Sequence, residues 1–156
     1  VIDSHCHLAD DAFAQDLGAV VTRAREAGVR RLLCIISSDT DEELQQAPVV
    51  RDEWPAVEFA TAIHPHRAGA YAGRVHEVGG VLRGAGARLG AVALGEMGLD
   101  YHYDFAPRDV QREVFAAQVA EAVALGLPVA IHTREAFDDT HAILWEAGQG
   151  RVRGVM

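Results

Sequence analysis

Short apolar runs alternate with longer amphipathic stretches along the whole chain. Val1 and Ile2 lead into Asp3-Ser4-His5-Cys6-His7, a short strand with a polar end, and Val29–Ile36, Val57–Ile63, Ala91–Leu94 and Pro128–Ile131 predict four more strands. Val152–Met156 reads as the start of a sixth. These runs lack the regular polar alternation of a strand with one wet face, so each is expected to be covered on both sides. Between them the pattern predicts helices at Ala12–Ala27, Asp41–Asp52, Tyr71–Arg88, Pro107–Leu125 and Ala136–Ala147. Gly28 and Gly126 close the first and fourth helices, Thr40 or Asp39 caps the second, and Pro107 opens the fourth. Several glycines interrupt the third and blur its bounds.

Such strands, separated by helices in units of roughly 25–35 residues, define βαβ repeats around a parallel sheet. A doubly wound sheet would carry a glycine-rich phosphate loop after its first strand. Here that strand ends in His-x-His. Polar residues collect at the C-terminal end of strand after strand, which is where a (β/α)8 TIM barrel builds its active site. A complete barrel needs about 250 residues, and the chain has 156. The expected fold is therefore α/β, a TIM barrel truncated to about its first five and a half βα units, with residues 1–156 forming a single domain. Closure of the barrel would come from further residues or from another polypeptide.

Composition narrows this picture. With 23 acidic residues against 14 basic ones, all arginine, the net charge is −9. A field of that sign disfavours non-specific coating of nucleic acid or anionic membrane, yet permits a local phosphate site built from cations and a few arginines. The two cysteines, Cys6 and Cys34, are too few for a disulfide framework. No apolar run approaches the roughly 20 residues that cross a bilayer, and no secretory signal is visible. A soluble, reduced, cytoplasmic protein is expected.

The candidate chemistry lies at the strand ends. In a strand, residues i and i+2 point the same way, so His5 and His7 face one side as a candidate metal pair, with Asp3 on the same face to orient one of them. The plainer alternative is two unrelated histidines at a polar strand end. Glu96 follows an apolar strand between Gly95 and Gly98, where a buried carboxylate needs a partner. A cation suits it, and one carboxylate can bridge two; a buried arginine is the alternative. The glycines suit close approach of backbone to a ligand. His132 and Arg134 repeat the i, i+2 geometry, an imidazole to ligate metal and a guanidinium to hold phosphate. His64 and His66 flank Pro65 and either contact substrate phosphate or face solvent. His76 and His141 read as surface residues, His102 as a rim residue, and the run Asp39, Asp41, Glu42, Glu43 as a charged helix N-terminus. Val114, Phe115, Val119 and Val123 form a helical packing stripe. No Gly-x-Ser-x-Gly elbow, Walker loop or Cys-x-x-Cys occurs. His and Glu ligands converging from several strands suit Zn²⁺, Mn²⁺ or Mg²⁺, and two such ions about 3.5–4 Å apart would clamp a phosphoryl transfer.

Asp-Ser-His-Cys-His-Leu (3–8), His-Pro-His (64–66), Gly-Glu-Met-Gly-Leu-Asp-Tyr (95–101) and Ile-His-Thr-Arg (131–134), with Pro107 and Gln111 after the Glu motif, occur in that order. Together they resemble the successive signatures of the TatD family of metal-dependent deoxyribonucleases. The resemblance implies a (β/α)8 barrel that hydrolyses phosphodiesters by 3′→5′ exonuclease action, with two divalent ions (Mg, Mn or Zn) as cofactors and DNA, single-stranded or at 3′ ends, as substrate. Carried over by position, His5 and His7 bind the first metal, Glu96 is the catalytic carboxylate that bridges both, and His132 binds the second. His64 and Arg134 hold the phosphate. Family members follow Gly-Val-Met with a His-Cys-Phe ligand motif and later supply a metal-binding, water-activating Asp. Neither occurs within residues 1–156, so this stretch alone is expected to be short of a ligand and a general base. The alternatives are a non-catalytic metal-binding fragment and a hydrolase of another ester or amide.

Overall fold

In a computed structural model describing residues 1–156, six strands alternate with five α-helices. They run β1 (Ile2–Cys6), α1 (Leu17–Glu26), β2 (Arg31–Ser37), α2 (Asp41–Glu53), β3 (Glu58–Ala62), α3 (Val78–Leu89), β4 (Ala93–Asp100), α4 (Arg108–Leu125), β5 (Val129–Arg134), α5 (Phe137–Gly148) and β6 (Gly154–Val155). Every strand pair is parallel and the sheet order is β1-β2-β3-β4-β5-β6. A doubly wound sheet reverses its order partway; this one never does, and it curls as part of a barrel.

The two faces of the sheet are packed differently. One cluster of 16 buried residues, including Leu94, Met97, Leu99, Phe115 and Val119, joins the middle of the sheet to α3 and α4. A second of 15, including Val21, Cys34, Ile36, Val50 and Phe59, joins β2 and β3 to α1 and α2. Ile35 on β2, Ala60 on β3 and Ala93 on β4 form a small third cluster at alternate strand positions. Successive side chains thus point outward to the helices and inward to a narrow interior.

Three local expectations shift. The first helix begins only at Leu17, after a 3-10 turn at Asp11–Phe13 whose first free amide, on Ala12, donates to Asp10. The glycine-broken third helix resolves into a 3-10 turn at Val75–Glu77 followed by α3, and another 3-10 turn, Pro65–Tyr71, precedes it. Most consequential, β4 does not stop at Leu94 but continues to Asp100, because its pairing with β5 resumes from Met97–Ile131 to Asp100–Arg134. The whole Gly-Glu-Met-Gly-Leu-Asp motif therefore lies on a strand.

Two glutamines on the buried side of α4 set where the strand ends lie. Gln118 accepts from the Ile63 N–H at 2.8 Å and donates to the Ile63 carbonyl at 3.0 Å. Two helical turns earlier, Gln111 accepts from the Asp100 N–H at 2.8 Å and donates to the Asp100 carbonyl at 3.0 Å and the Ala106 carbonyl at 2.9 Å. Each amide replaces the strand partner that a chain leaving a sheet loses. Emptying either site would strand buried polar groups at about 1–3 kcal/mol.

Candidate metal centre

β1 and β4 each carry one extra residue relative to a neighbour, β1 between Asp3 and Cys6 and β4 between Leu94 and Met97. Bulges of this kind re-aim side chains beside functional sites. The first leaves His5 and His7 side by side, their Nε2 atoms 3.2 Å apart. The second aims Glu96 at them, its Oε2 lying 3.2 Å from His5 Nε2 and 3.8 Å from His7 Nε2. Asp3 does not orient a ring. Its carboxylate accepts the backbone N–H of His5 at 3.1 Å, a short local bond that shapes the bulge.

The other Glu96 oxygen faces the opposite way, with Oε1 2.8 Å from His132 Nδ1. His132 Nε2 lies 3.0 Å from Asp100 Oδ2, which His66 Nε2 also meets at 2.9 Å. Asp100 is buried, and its other oxygen accepts from the His102 and Tyr103 amides. His64 closes this side, its ring centroid 4.9 Å from that of His132. Its Nδ1 accepts the His66 N–H at 3.2 Å and caps the turn that follows, leaving Nε2 as its free nitrogen. Two potential ligand groups result, His5-His7-Glu96 and His64-Glu96-His132, each with its donor atoms within 4.8 Å of one another. Glu96 belongs to both.

The electrostatics follow from this crowding. Burial pushes the Glu96 carboxyl up, but the hydrogen bond from His132 and the fields of His64 and His5 outweigh it and hold the carboxyl at about 2. Burial acts on Asp100 in the same sense and is overcome by the hydrogen bonds it accepts, so it too stays well below the usual carboxylate range. His132 is raised, chiefly by its bond to Glu96. His64 goes the other way: burial lowers it to about 4, keeping it a neutral imidazole whose Nε2 carries the proton while Nδ1 accepts from His66.

Arg134 is exposed and lies not over the histidines but with its guanidinium 4.8 Å above the Tyr103 ring. His76 and His141 are on the surface, and exposed His102 bonds Glu135 at 2.8 Å. The acidic run is not simply a solvated helix start. Asp39 pairs with Arg67 at 2.8 Å, and Glu43 accepts the Ser37 N–H at 2.8 Å while lining a cleft with His7, His64 and Glu96. The two glycines of the Glu motif approach a strand rather than a ligand. A Cβ on Gly95 would sit 2.5 Å from the Ala130 Cβ, and one on Gly98, at φ +149°, would collide with the His132 carbonyl oxygen. Asp100 is the residue that sequence reasoning passed over. It lay within the motif and at the same strand parity as Glu96, which would have flagged it had the strand been extended.

The model of one protein family, described as TatD related DNase, matches residues 2–156. The chain is 35% identical over 156 residues to an uncharacterized metal-dependent hydrolase, YabD, of Bacillus subtilis (strain 168), covering all of this chain and 59% of that protein. It is 39% identical over 145 residues to a 3'-5' ssDNA/RNA exonuclease TatD of Pantoea sp. (strain At-9b), covering 92% of this chain and 54% of the other. The chain thus spans little more than half the length of these relatives. Among solved structures, a hydrolase TatD family protein from Entamoeba histolytica superposes with a TM-score of 0.78 at 21% identity, covering 99% of this chain and 56% of that one. YjjV, a TatD homolog from Escherichia coli K12, gives 0.76 at 25% identity over 94% and 55%.

Proposed function

The chain belongs to the TatD-related DNase family of metal-dependent hydrolases, and from that premise we propose that it carries part of a two-cation phosphodiesterase site acting as a 3′→5′ exonuclease on single-stranded nucleic acid. The observation that supports this reading is the division of the Glu96 carboxylate, one oxygen toward His5 and His7 and the other toward His132. The donor set fits divalent ions. Imidazole nitrogens and carboxylate oxygens suit Zn²⁺ and Mn²⁺, and carboxylates also accept Mg²⁺. His5 and His7 would hold one ion, His132 the other, and Glu96 both.

Divalent ions at such a site lower the pKa of bound water and neutralise charge developing on the phosphoryl oxygens. The protein's own groups prepare the place for them. Asp100 holds the His132 ring through Nε2, so that Nδ1 faces Glu96, the orienting role carboxylates commonly play for ligating histidines. His64, neutral near pH 7, can donate to a phosphate oxygen from Nε2 without carrying charge into the cleft. Arg134, at the rim, would hold the next phosphate.

The test is degradation of a 5′-labelled single strand by the purified protein with Mn²⁺ or Mg²⁺, repeated with chelator and with Glu96→Ala. Stepwise shortening from the 3′ end that chelator and the substitution both abolish is the expected result. Activity surviving Glu96→Ala would refute the assignment. Metal binding without hydrolysis would favour the non-catalytic reading instead.

A further inference from the structure

Beside the buried side of the centre stands a group of aromatic rings with no part in the chemistry above. Phe105 is 63% exposed and Tyr103 40% exposed. Their ring centroids lie 5.3 Å apart with the planes tilted by only 33°. The His66 ring packs against both, 4.7 Å from Phe105 and 5.5 Å from Tyr103, and itself bonds Asp100 at 2.9 Å. Arg134 covers Tyr103 at 4.8 Å. An exposed phenylalanine is by itself unremarkable. This one is held in line with a second ring, braced by a histidine anchored to a buried carboxylate, and separated from His132 by that single histidine ring, whose centroid is 6.2 Å from it.

We propose that Phe105, backed by Tyr103, is a stacking platform for an unpaired nucleobase next to the phosphodiester handled at the metal centre. The proposal rests on the phosphodiesterase reading and adds what the site takes hold of besides phosphate. Tyr103 is hemmed in by Arg134, His66, His102 and Phe105, so Phe105 is the ring with accessible area. Every base has a π-face, so such a platform binds without sequence preference and favours purines through their larger area. It also selects for single strands, because in a duplex the faces of all but the terminal base are already stacked. With a net charge of −9 the protein has no long-range attraction for a polyanion. Affinity must then come from short-range contacts, of which stacking is one that charge does not oppose. Phe105 is a substrate-positioning residue in this scheme and takes no part in proton or phosphoryl transfer.

The test uses the whole chain with Mn²⁺ and a phosphorothioate-linked single strand that resists hydrolysis. One version carries 2-aminopurine at its 3′ end, and another carries an abasic sugar there. Wild-type protein is expected to quench the 2-aminopurine fluorescence on binding. Phe105→Ala should lose the quench and bind the base-bearing strand about tenfold or more weakly, while binding the abasic strand as wild type does. Phe105→Tyr, which restores a ring, should recover both. If Phe105→Ala weakens the base-bearing and abasic strands alike, or neither, the platform is refuted while the phosphodiesterase reading stands. If wild type binds neither strand, that reading fails and the platform with it.

Discussion

The two oxygens of Glu96 look onto unlike surroundings. On one side His5 and His7 are 39% and 50% exposed and meet no carboxylate other than Glu96 within ion-pair distance. On the other, His132 is 21% exposed and held at both ring nitrogens, by Glu96 and by the buried Asp100. Asp100 is in turn fixed by two backbone amides, the His66 ring and the Gln111 clamp. The exposed side thus carries candidate ligands on a strand end whose orientation depends on a bulge and one local bond. The buried side carries a candidate ligand whose position is determined several times over. Preorganisation of that kind costs stability when it is broken, whereas the exposed side can be altered with little effect on the fold.

The widest break comes from the shared carboxylate. Cations at 100 times their dissociation constant stabilise a native protein by about 2.7 kcal/mol per site. Glu96→Ala should remove that gain on both sides, so thermal melts with and without Mn²⁺ should coincide. A remaining Mn²⁺ shift of full size would show that the two sides do not share this ligand.

Next come the paired substitutions. His132→Ala leaves Asp100 and Glu96 short of a partner and should cost the metal-free protein about 1–3 kcal/mol. His5→Ala, at an exposed position, should stay within about 0.5 kcal/mol. In a calorimetric titration each should delete a different binding event. Equal destabilisation by the two would erase the distinction drawn between the sides.

Asp100→Asn sharpens the comparison further. The amide oxygen can still accept the His102 and Tyr103 N–H groups, so the fold should persist. The charge that orients His132 is lost, and outer-shell losses of this sort reduce metal affinity by about 10–100-fold. Titration should show the loss on the buried side alone, with the His5-His7 event unchanged.

The smallest effect is on the pH dependence of stability without metal. His132 is raised from 6.5, so its contribution is full below that value and is lost as pH rises through its folded pKa. His64 is lowered from 6.5 to about 4, so stability is lost as pH falls from 6.5 toward 4, where the unfolded chain binds a proton that the folded one refuses. Glu96, held at about 2, gives way only below its ordinary 4.5. The melting temperature should therefore pass through a maximum near 6.5. Saturating Mn²⁺ should lift the alkaline limb, because metal takes up the neutral imidazole. A profile flat from about pH 5 to 8 would contradict both assignments.

The strands that carry the candidate ligands were readable because their signals are local. His5 and His7 share a face by the period-2 geometry of a strand, and Glu96 stood out because a carboxylate closing an apolar run is costly without a partner. Even with the bulges these three side chains come together, since a bulge shifts a whole segment rather than scrambling neighbours. Asp100 was not legible in the same way. Its importance depends on rings arriving from β5 and from the turn after β3, and on an amide reaching over from α4. Glu43 does stand in the first turn of α2, where a carboxylate is favourable, but its bond to the Ser37 amide depends on the packing of α2 against β2 and was not legible.

The glycines of the Glu motif show where this boundary runs. Periodicity and capping dictate which segments become strands and helices, and the placement of polar residues at strand ends dictates which end of the sheet is chemical, because both follow from distances of a few residues along the chain. The reason Gly95 and Gly98 must be glycine lies in β5, some 35 residues away, and the reason Glu96 divides its oxygens lies in β5 and in the still more distant β1. Contacts across that span are set by how the sheet curls and by the register in which β4 meets β5, and these exist only once the chain is folded.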